Sequence, residues 1–436
     1  MDFPTDFRRS MPMQDGHVTI FASSGTLSNK CKFVAHTSRS SQLVCLTYHE
    51  KLFDLLVEMD PDYTAINGHH LITSGLHCID AWSYLYYSLV KGETCVLAES
   101  AVDVWRASFL DRIAGLIEQY RIPLILSNAQ LLKCFVKYEV HNIYDISSLK
   151  LIANSGSPIA SHIAKKVKHM LNVAITQAYS AVEFGVVAFE LFNEAVEGAI
   201  LGSGMPLGDI KVKVADADTE TEVATGEWGH LMLSGSNLFS EYVGKDTNKG
   251  CFAKNWFRSG DYGVIDQKHR IHVADPISNL IKVNGNKLSP EILGCILCEH
   301  QNVDDAVVAV VDSEIIVGIV PNENSTSGVD LEDINAIIKK HKINVTVAKV
   351  HLLDFIPRSE SGKVMRAELH YLFAAEQDDV VLVEHNETLP FSRPTFQRII
   401  AALSFEIFTQ STRLFYYPTA YDYFHDFHAS CFKPNI

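Results

Sequence analysis

No stretch of this 436-residue chain runs for about 18 uninterrupted apolar residues, so no membrane-spanning helix is expected. The N-terminus lacks the apolar core of a secretory signal, and the closing Lys-Pro-Asn-Ile is no recognisable address. Basic residues are in short supply. Lys and Arg number 37 against 52 Asp and Glu, a net charge of −15. Sequence-blind nucleic-acid binding needs basic surface to displace counterions, so no nucleic-acid partner is expected, and no anionic membrane surface either. A phosphate-bearing ligand stays open, because backbone N–H groups and one or two lysines can hold one locally. The nine cysteines are scattered and odd in number, which suits a reducing compartment such as the cytoplasm. The tight pair Cys295/Cys298, followed by His300, has no second pair to complete a zinc site and reads as two semi-buried thiols.

What is present describes a folded enzyme-sized chain. Hydrophobic residues make up 47% and charged residues 20%, enough apolar side chain for a real core. At roughly 100–200 residues per domain, the length allows two to four domains. Apolar strand-like runs alternate with helix-like runs from residue 17 to 177, which predicts an α/β layered sheet with parallel strands. Past Gly198, glycine, threonine and short alternating runs predict a β-rich segment of hairpins. After Asp275, two apolar strands, a helical face and a further strand predict a small α+β domain. The expected organisation is a large domain over 1–274, a small mobile one over 275–375, and an unassigned aromatic-rich tail over 376–436.

Four polar segments could carry chemistry. Ser23-Ser24-Gly25-Thr26-Leu27-Ser28-Asn29-Lys30 follows a buried strand, and its small residues, hydroxyls and lysine could converge on an anion. Gln177 to Glu183 offers Tyr179 to stack on a base and the Glu183 carboxylate for a hard cation. Asn255 to Gly263 reads as a tight bend presenting Asp261, and one carboxylate can accept both hydroxyls of a ribose. Pro357 to Arg366 carries Lys363 beside a glycine, able to swing a charge onto phosphate or carboxylate. Taken singly, each also fits an ordinary turn, strand end or helix cap.

These four segments, in this order, resemble the adenylate-forming superfamily of acyl-CoA synthetases, aryl-CoA ligases, luciferases and nonribosomal adenylation domains. Asn154-Ser155-Gly156-Ser157-Pro158 is similar to the family's Gly-Gly-Ala/Ser-Pro loop, and Gly226 to Leu231 to its Gly-Glu-x-Gly-Glu-Leu turn. Leu280 to Glu291 resembles its small-domain signature. The resemblance spans residues 18–372 and lies nearest the acyl-CoA synthetase and 4-coumarate ligase branch. It implies that a carboxylic acid attacks the α-phosphate of Mg-ATP, giving an acyl-adenylate and pyrophosphate, and that CoA then displaces AMP. It implies that Ser23, Ser24, Gly25, Thr26 and Lys30 cradle the β- and γ-phosphates. Gly156 and Ser157 would line the adenine, Tyr179 would stack on it, and Asp261 would take the ribose. Glu183 would hold Mg²⁺, and Lys363 would bridge carboxylate and α-phosphate. Asp275 matches the hinge, Gly285 the CoA path, and His77 a histidine beside the acyl site, although a packed core histidine fits His77 as well.

The chain also departs from the pattern. The first loop usually reads Ser-Gly-Thr-Thr-Gly-x-Pro-Lys-Gly, and here Leu27-Ser28 replaces the second Thr-Gly and Cys31 the last glycine. Val182 replaces a hydroxyl residue, and Pro276 an arginine that follows the hinge aspartate. The family usually carries a substantial portion ahead of the first loop, whose absence would leave strands unpaired. A fold-retaining protein that binds nucleotide or acyl ligand without turnover, or an incomplete gene product, is therefore the alternative expectation.

Overall fold

The computed structural model describes residues 18–23, 32–64, 68–98, 107–194, 200–216, 219–243, 250–283, 286–311, 314–322, 328–359, 362–366, 368–369 and 373. The expected phosphate-loop residues Ser24, Gly25, Thr26 and Lys30, the glycine Gly285 and the tail 376–436 lie outside them. All described residues belong to one unit, Met1–Asp379.

In chain order the elements are β1 (Val18–Ala22), β2 (Phe33–Thr37), α1 (Ser38–Met59), β3 (His69–Ile72), α2 (Ile79–Lys91), β4 (Thr94–Leu97), α3 (Ala107–Tyr120), β5 (Leu124–Ser127), α4 (Ala129–Tyr138), β6 (Leu151–Asn154), α5 (Ser161–Leu171), β7 (Ala174–Ala181), β8 (Gly185–Leu191) and β9 (Met205–Pro206). A seven-stranded sheet takes the order β4-β3-β5-β6-β7-β8-β9, parallel from β4 to β7 and antiparallel beyond. Alternation along the strands decides which helices cover which face. Leu71, Ile125 and Ile152 pack with Ile113, Phe135 and Val167 of α3, α4 and α5. Their neighbours Ile72, Leu126 and Leu151 pack instead with Leu52 and Leu56 of α1 and Tyr84 of α2. Successive side chains of a strand point to opposite faces, so near-continuous apolar runs are what a sheet covered on both sides requires.

The α/β expectation holds. The β-rich segment is β10 (Lys211–Ala215), β11 (Gly229–Ser234), β12 (Glu241–Tyr242), β13 (Phe252–Ala253), β14 (Trp256–Ile265) and β15 (Ile271–Pro276), antiparallel in the order β10-β11-β14-β13 with β15 also on β14. β12 instead closes a small sheet with β1 and β2. The rest comprises β16 (Ile281–Val283), β17 (Asn286–Leu288), α6 (Pro290–Leu297), β18 (Val303–Val311), β19 (Glu314–Pro321), α7 (Leu331–Lys340) and β20 (Lys349–Leu352). Leu293 and Leu297 of α6, Ile334 and Ile338 of α7, and Val308 and Val317 of β18 and β19 form a core of their own.

Two expected loops are strands. Residues 177–181 continue β7, because β8 returns beside it from Gly185 and pairs Tyr179 with Ala188. Asp261 lies inside the ten-residue β14 rather than on a tight bend, and the glycine-permitted irregularity is a register shift between Tyr262 and Gly263. Of the helix expected over residues 364–373, residues 366, 368, 369 and 373 are helical, and 367 and 370–372 lie outside the described residues.

Cap chemistry sets the helix that borders the site. The Asn128 side chain accepts from the backbone N–H of Gln130 and Leu131 at 3.1 and 3.0 Å, starting α4 where β5 ends. Asn128→Ala should lower stability by about 0.5–2 kcal/mol, read as a shift in urea midpoint at unchanged slope.

Candidate active site

In the seven-stranded sheet β4 and β5 flank β3, so the chain reverses its direction of travel across the sheet at β3/β5. Ligands of open α/β sheets bind in the crevice beyond the carboxyl ends of strands at such a reversal. A pocket opens there, lined by Ile72 at the end of β3 and Ser74 after it, Leu126 in β5, Ser155 and Gly156 after β6, and Asp80 in the first turn of α2.

Three expected site residues come together, none of them in that lining. Tyr179 Oη donates to Asp261 Oδ2 at 2.5 Å, joining β7 to β14. Burial pushes the Asp261 carboxyl up, while the Tyr179 donation and the Lys363 ammonium pull it down. Burial likewise raises Glu183, whose Oε1 accepts from Tyr242 Oη at 2.5 Å. Asp261 adds to that rise, so the two carboxylates feel one another.

Lys363 is exposed and sits in a tight loop. Its backbone N–H donates to Ser359 Oγ at 3.2 Å, and its carbonyl accepts from the Ser359 N–H at 2.8 Å. Its charge is felt by both Asp80 and Asp261. The loop approaches the 155–158 turn closely. A Cβ placed at Gly362, whose φ is +82°, would lie 3.3 Å from Ser157 Oγ. Ser157 Oγ is itself buried and has no hydrogen-bond partner among the described residues. Arg358 holds the loop from behind, donating to the Gly362 carbonyl at 3.0 Å and to both oxygens of Asp305 at 2.9 and 3.0 Å. Asp305 also accepts from Lys133 of α4 at 2.5 Å.

Other expected residues stand apart. Ser23 follows β1, its Oγ accepting from the Lys32 N–H at 3.2 Å and its N–H donating to the Lys32 carbonyl at 2.8 Å, so it ties together the two ends of segment 24–31. His77 lies half-buried in the turn between β3 and α2. Asp275 is buried in β15, where its Oδ2 accepts from Ser289 Oγ and from the Glu291 N–H at 3.0 Å. Its carboxylate thus caps α6 rather than facing the Tyr179–Asp261 pair. Cys295 and Cys298 are buried free thiols, and burial pushes Cys298 up to about 11.

The sequence reading passed over Asp80. Its Oδ2 accepts from Ser155 Oγ at 2.6 Å and Ser180 Oγ at 3.1 Å, partners 75 and 100 residues away. The segment Leu76 to Asp80 was singled out for its histidine alone. The signal available was a carboxylate in the first turn of an otherwise apolar helix. Tyr242, 59 residues from Glu183, gave no local signal.

No group of three or more metal-ligating side chains occurs among the described residues. Mg²⁺ is commonly held by one or two carboxylates plus substrate phosphates, and Glu183, its Oε1 bonded to Tyr242, is a carboxylate that could hold it.

The sequence pattern of AMP-binding enzymes matches residues 12–243. A 4-coumarate-CoA ligase of Narcissus pseudonarcissus is 26% identical over 301 residues, covering 66% of this chain and 55% of its own length. One of Humulus lupulus is 27% identical over 310 residues, covering 67% and 55%. The chain thus spans about half the length of these curated relatives. Among solved structures, an O-succinylbenzoate coenzyme A synthetase of Bacillus subtilis in complex with AMP superposes with a TM-score of 0.65 at 22% identity, over 82% of this chain and 70% of that one. An anthranilate CoA ligase in complex with anthranoyl-AMP gives 0.68 at 17%, over 82% and 68%. These two share the fold. Since the matched pattern takes in just over half of the chain, this protein belongs to the AMP-binding enzymes of the adenylate-forming superfamily.

Proposed function

We propose that this protein joins a carboxylic acid to ATP as an acyl-adenylate, with release of pyrophosphate, and passes the acyl group to CoA. The observation that carries this reading is the Tyr179–Asp261 hydrogen bond at 2.5 Å, with the Lys363 ammonium pulling the Asp261 carboxyl down. Names of the relatives, which are 4-coumarate-CoA ligases, support the same class. Charge gathers on phosphate oxygens in the first step, so the protein's contribution is electrostatic placement. Lys363 draws the acid's carboxylate toward the α-phosphate. Asp261 accepts from the ribose, Tyr179 stacks on the adenine, and Gly156 and Ser157 line it. Glu183 holds Mg²⁺, which when bound offsets phosphate charge. Ser23, with Ser24, Gly25, Thr26 and Lys30, receives the β- and γ-phosphates, and His77 borders the acyl group. The small domain over 275–375 turns about Asp275 between the half-reactions and brings Gly285 to the CoA path. Buried free thiols support a reducing, cytoplasmic setting. Among the described residues no helix is long and apolar enough to cross a membrane.

One observation favours a second reading, ligand binding without turnover. Pro276 lies opposite Asp261 in the β14–β15 ladder, so a departure from the family pattern falls beside the ribose carboxylate. Pyrophosphate release with a panel of carboxylic acids separates the two. Turnover should fall by about 10- to 150-fold in Lys363→Ala, the loss of one charge-assisted contact in the transition state. Release indifferent to that change would count against the first reading, and nucleotide binding with no release would favour the second.

A further inference from the structure

Two lysines of α4 face two aspartates of β18. Lys133 and Lys137 stand four residues apart and so share one face of the helix. Opposite them, near the start of β18, are Asp304 and Asp305. Lys133 Nζ lies 2.5 Å from Asp305 Oδ1, and Lys137 Nζ lies 3.1 Å from Asp304 Oδ2. Consecutive residues of a regular strand point to opposite faces, which would turn one of these carboxylates away. The register of β18 against β19 shifts between Val303 and Asp305, and that irregularity lets both aspartates reach the same helix. The four side chains are between 10% and 32% exposed, so water screens the pairs only in part. Little apolar packing crosses the same seam. Among the described residues beyond Asp275, only Cys295 and the partly buried Ile292 join the core around α3, α4 and α5.

Lys363 depends on this seam for its place. The bonds of its own backbone stay within the loop, on Ser359. Arg358 ties the loop outward, donating to the Gly362 carbonyl at 3.0 Å and to Asp305, the carboxylate that Lys133 also takes. A chain of contacts therefore runs from α4 through Asp305 and Arg358 to the residue before Lys363. We propose that Lys133 and Lys137 are positioning residues, which hold the Lys363 loop in place for acyl-adenylate formation through their ion pairs with Asp305 and Asp304. The proposal rests on the adenylate-forming reading above and adds what holds its lysine. Neither Lys133 nor Lys137 lines the pocket beyond β3 and β5, so each acts through the loop. Each pair adds its interaction free energy to the held arrangement, so reversing a charge shifts the balance of held and released loop by that amount.

A charge swap in the full chain tests this, with Lys137→Asp, Asp304→Lys and the two together. Hydrogen exchange is read at residues 362–366, with β5 and β6 as internal reference. Each single reversal should speed exchange in the loop about tenfold and leave β5 and β6 unchanged, and the double variant should return the loop to within about threefold of the unaltered chain. Single-turnover pyrophosphate release without CoA, and thioester formation from a preformed acyl-adenylate with CoA, are then measured with 4-coumarate, benzoate and octanoate. The ratio of the second rate to the first should rise about threefold or more in the single variants and return in the double one. A merely structural pair would change both rates alike. Should a reversed chain not fold, Lys137→Ala is read in the same way for a smaller rise. Loop exchange that stays the same, that rises only together with β5 and β6, or that the double variant does not restore overturns the proposal, and so does an unchanged ratio. If the unaltered chain releases no pyrophosphate with any acid, the adenylate-forming reading falls and loop exchange alone decides this one.

Discussion

Replacing Asp305 by alanine should cost about 3–5 kcal/mol of unfolding free energy, the scale for removing one partner of a buried ion pair. Asp305 is 7% exposed in β18 and takes Lys133 Nζ at 2.5 Å and Arg358 through three contacts at 2.9, 3.0 and 3.2 Å. The Lys133 and Arg358 side chains are 17% and 6% exposed. Burial alone would raise the Asp305 carboxyl, but Arg358 first and Lys133 next hold it below its ordinary value. Without the carboxylate, Lys133 loses its 2.5 Å partner and, of the anions among the described residues, Arg358 keeps only Glu291, 3.9 Å away, in a low-dielectric crevice. Urea unfolding followed by circular dichroism reads the loss, and a cost below about 1 kcal/mol would place this pair with ordinary surface bridges. Arg358 also donates to the Gly362 carbonyl, so hydrogen exchange at residues 359 and 362–366 should speed up in the same variant.

The second large effect is on pH dependence and belongs to Asp275. Burial first, then the Glu291 carboxylate, pushes its carboxyl up to about 6, against the pull of Arg366 and the Ser289 and Glu291 donors. The unfolded value is about 3.9, so the folded state holds this proton more tightly. Its contribution is fully present below about pH 4, is lost as pH rises toward 6, and is level above that. The gap between about 3.9 and about 6 corresponds to a change on the order of 3 kcal/mol. Asp275→Asn removes the titration. Relative to the unaltered chain, the variant should gain stability from pH 4 to 6 and hold that gain from 6 to 8. A stability difference that stays flat with pH would show that Asp275 keeps an ordinary pKa.

Much of the fold was legible because burial on both sides of a parallel sheet writes itself as apolar runs, and β5 and β6 are buried throughout. The strand β3 escaped notice because it begins His69-His70. The ring of His70 is buried between the hydroxyls of Tyr63 and Tyr84, with Glu93 Oε2 3.2 Å away, and none of these partners is adjacent in sequence. β7 runs on to Ala181, past the strand end expected at Gln177. The Gln177 amide is consumed inside the protein, accepting from Asn154 Nδ2 at 2.9 Å and from the Ile159 N–H at 3.0 Å. Site residues that lie in contiguous motifs, such as Tyr179 and Glu183, were readable from order alone. Asp80, Arg358 and Lys133 gain meaning only from partners brought close by folding, and no local spacing announces them.

The ladder between β14 and β15 ends with Asp261 opposite Pro276 and Tyr262 opposite Asp275. Proline has no amide hydrogen, so this last rung can hold at most one of the two bonds that a hydrogen-bonded pair exchanges. The seam between the strands is therefore perforated at its tip. A pull on the chain beyond Pro276 would unzip that rung before any interior one, and the rung carries Asp261. Tension on the later part of the chain would then reach Asp261 early, where the Asp261 N–H is turned to Ser259 Oγ at 3.0 Å.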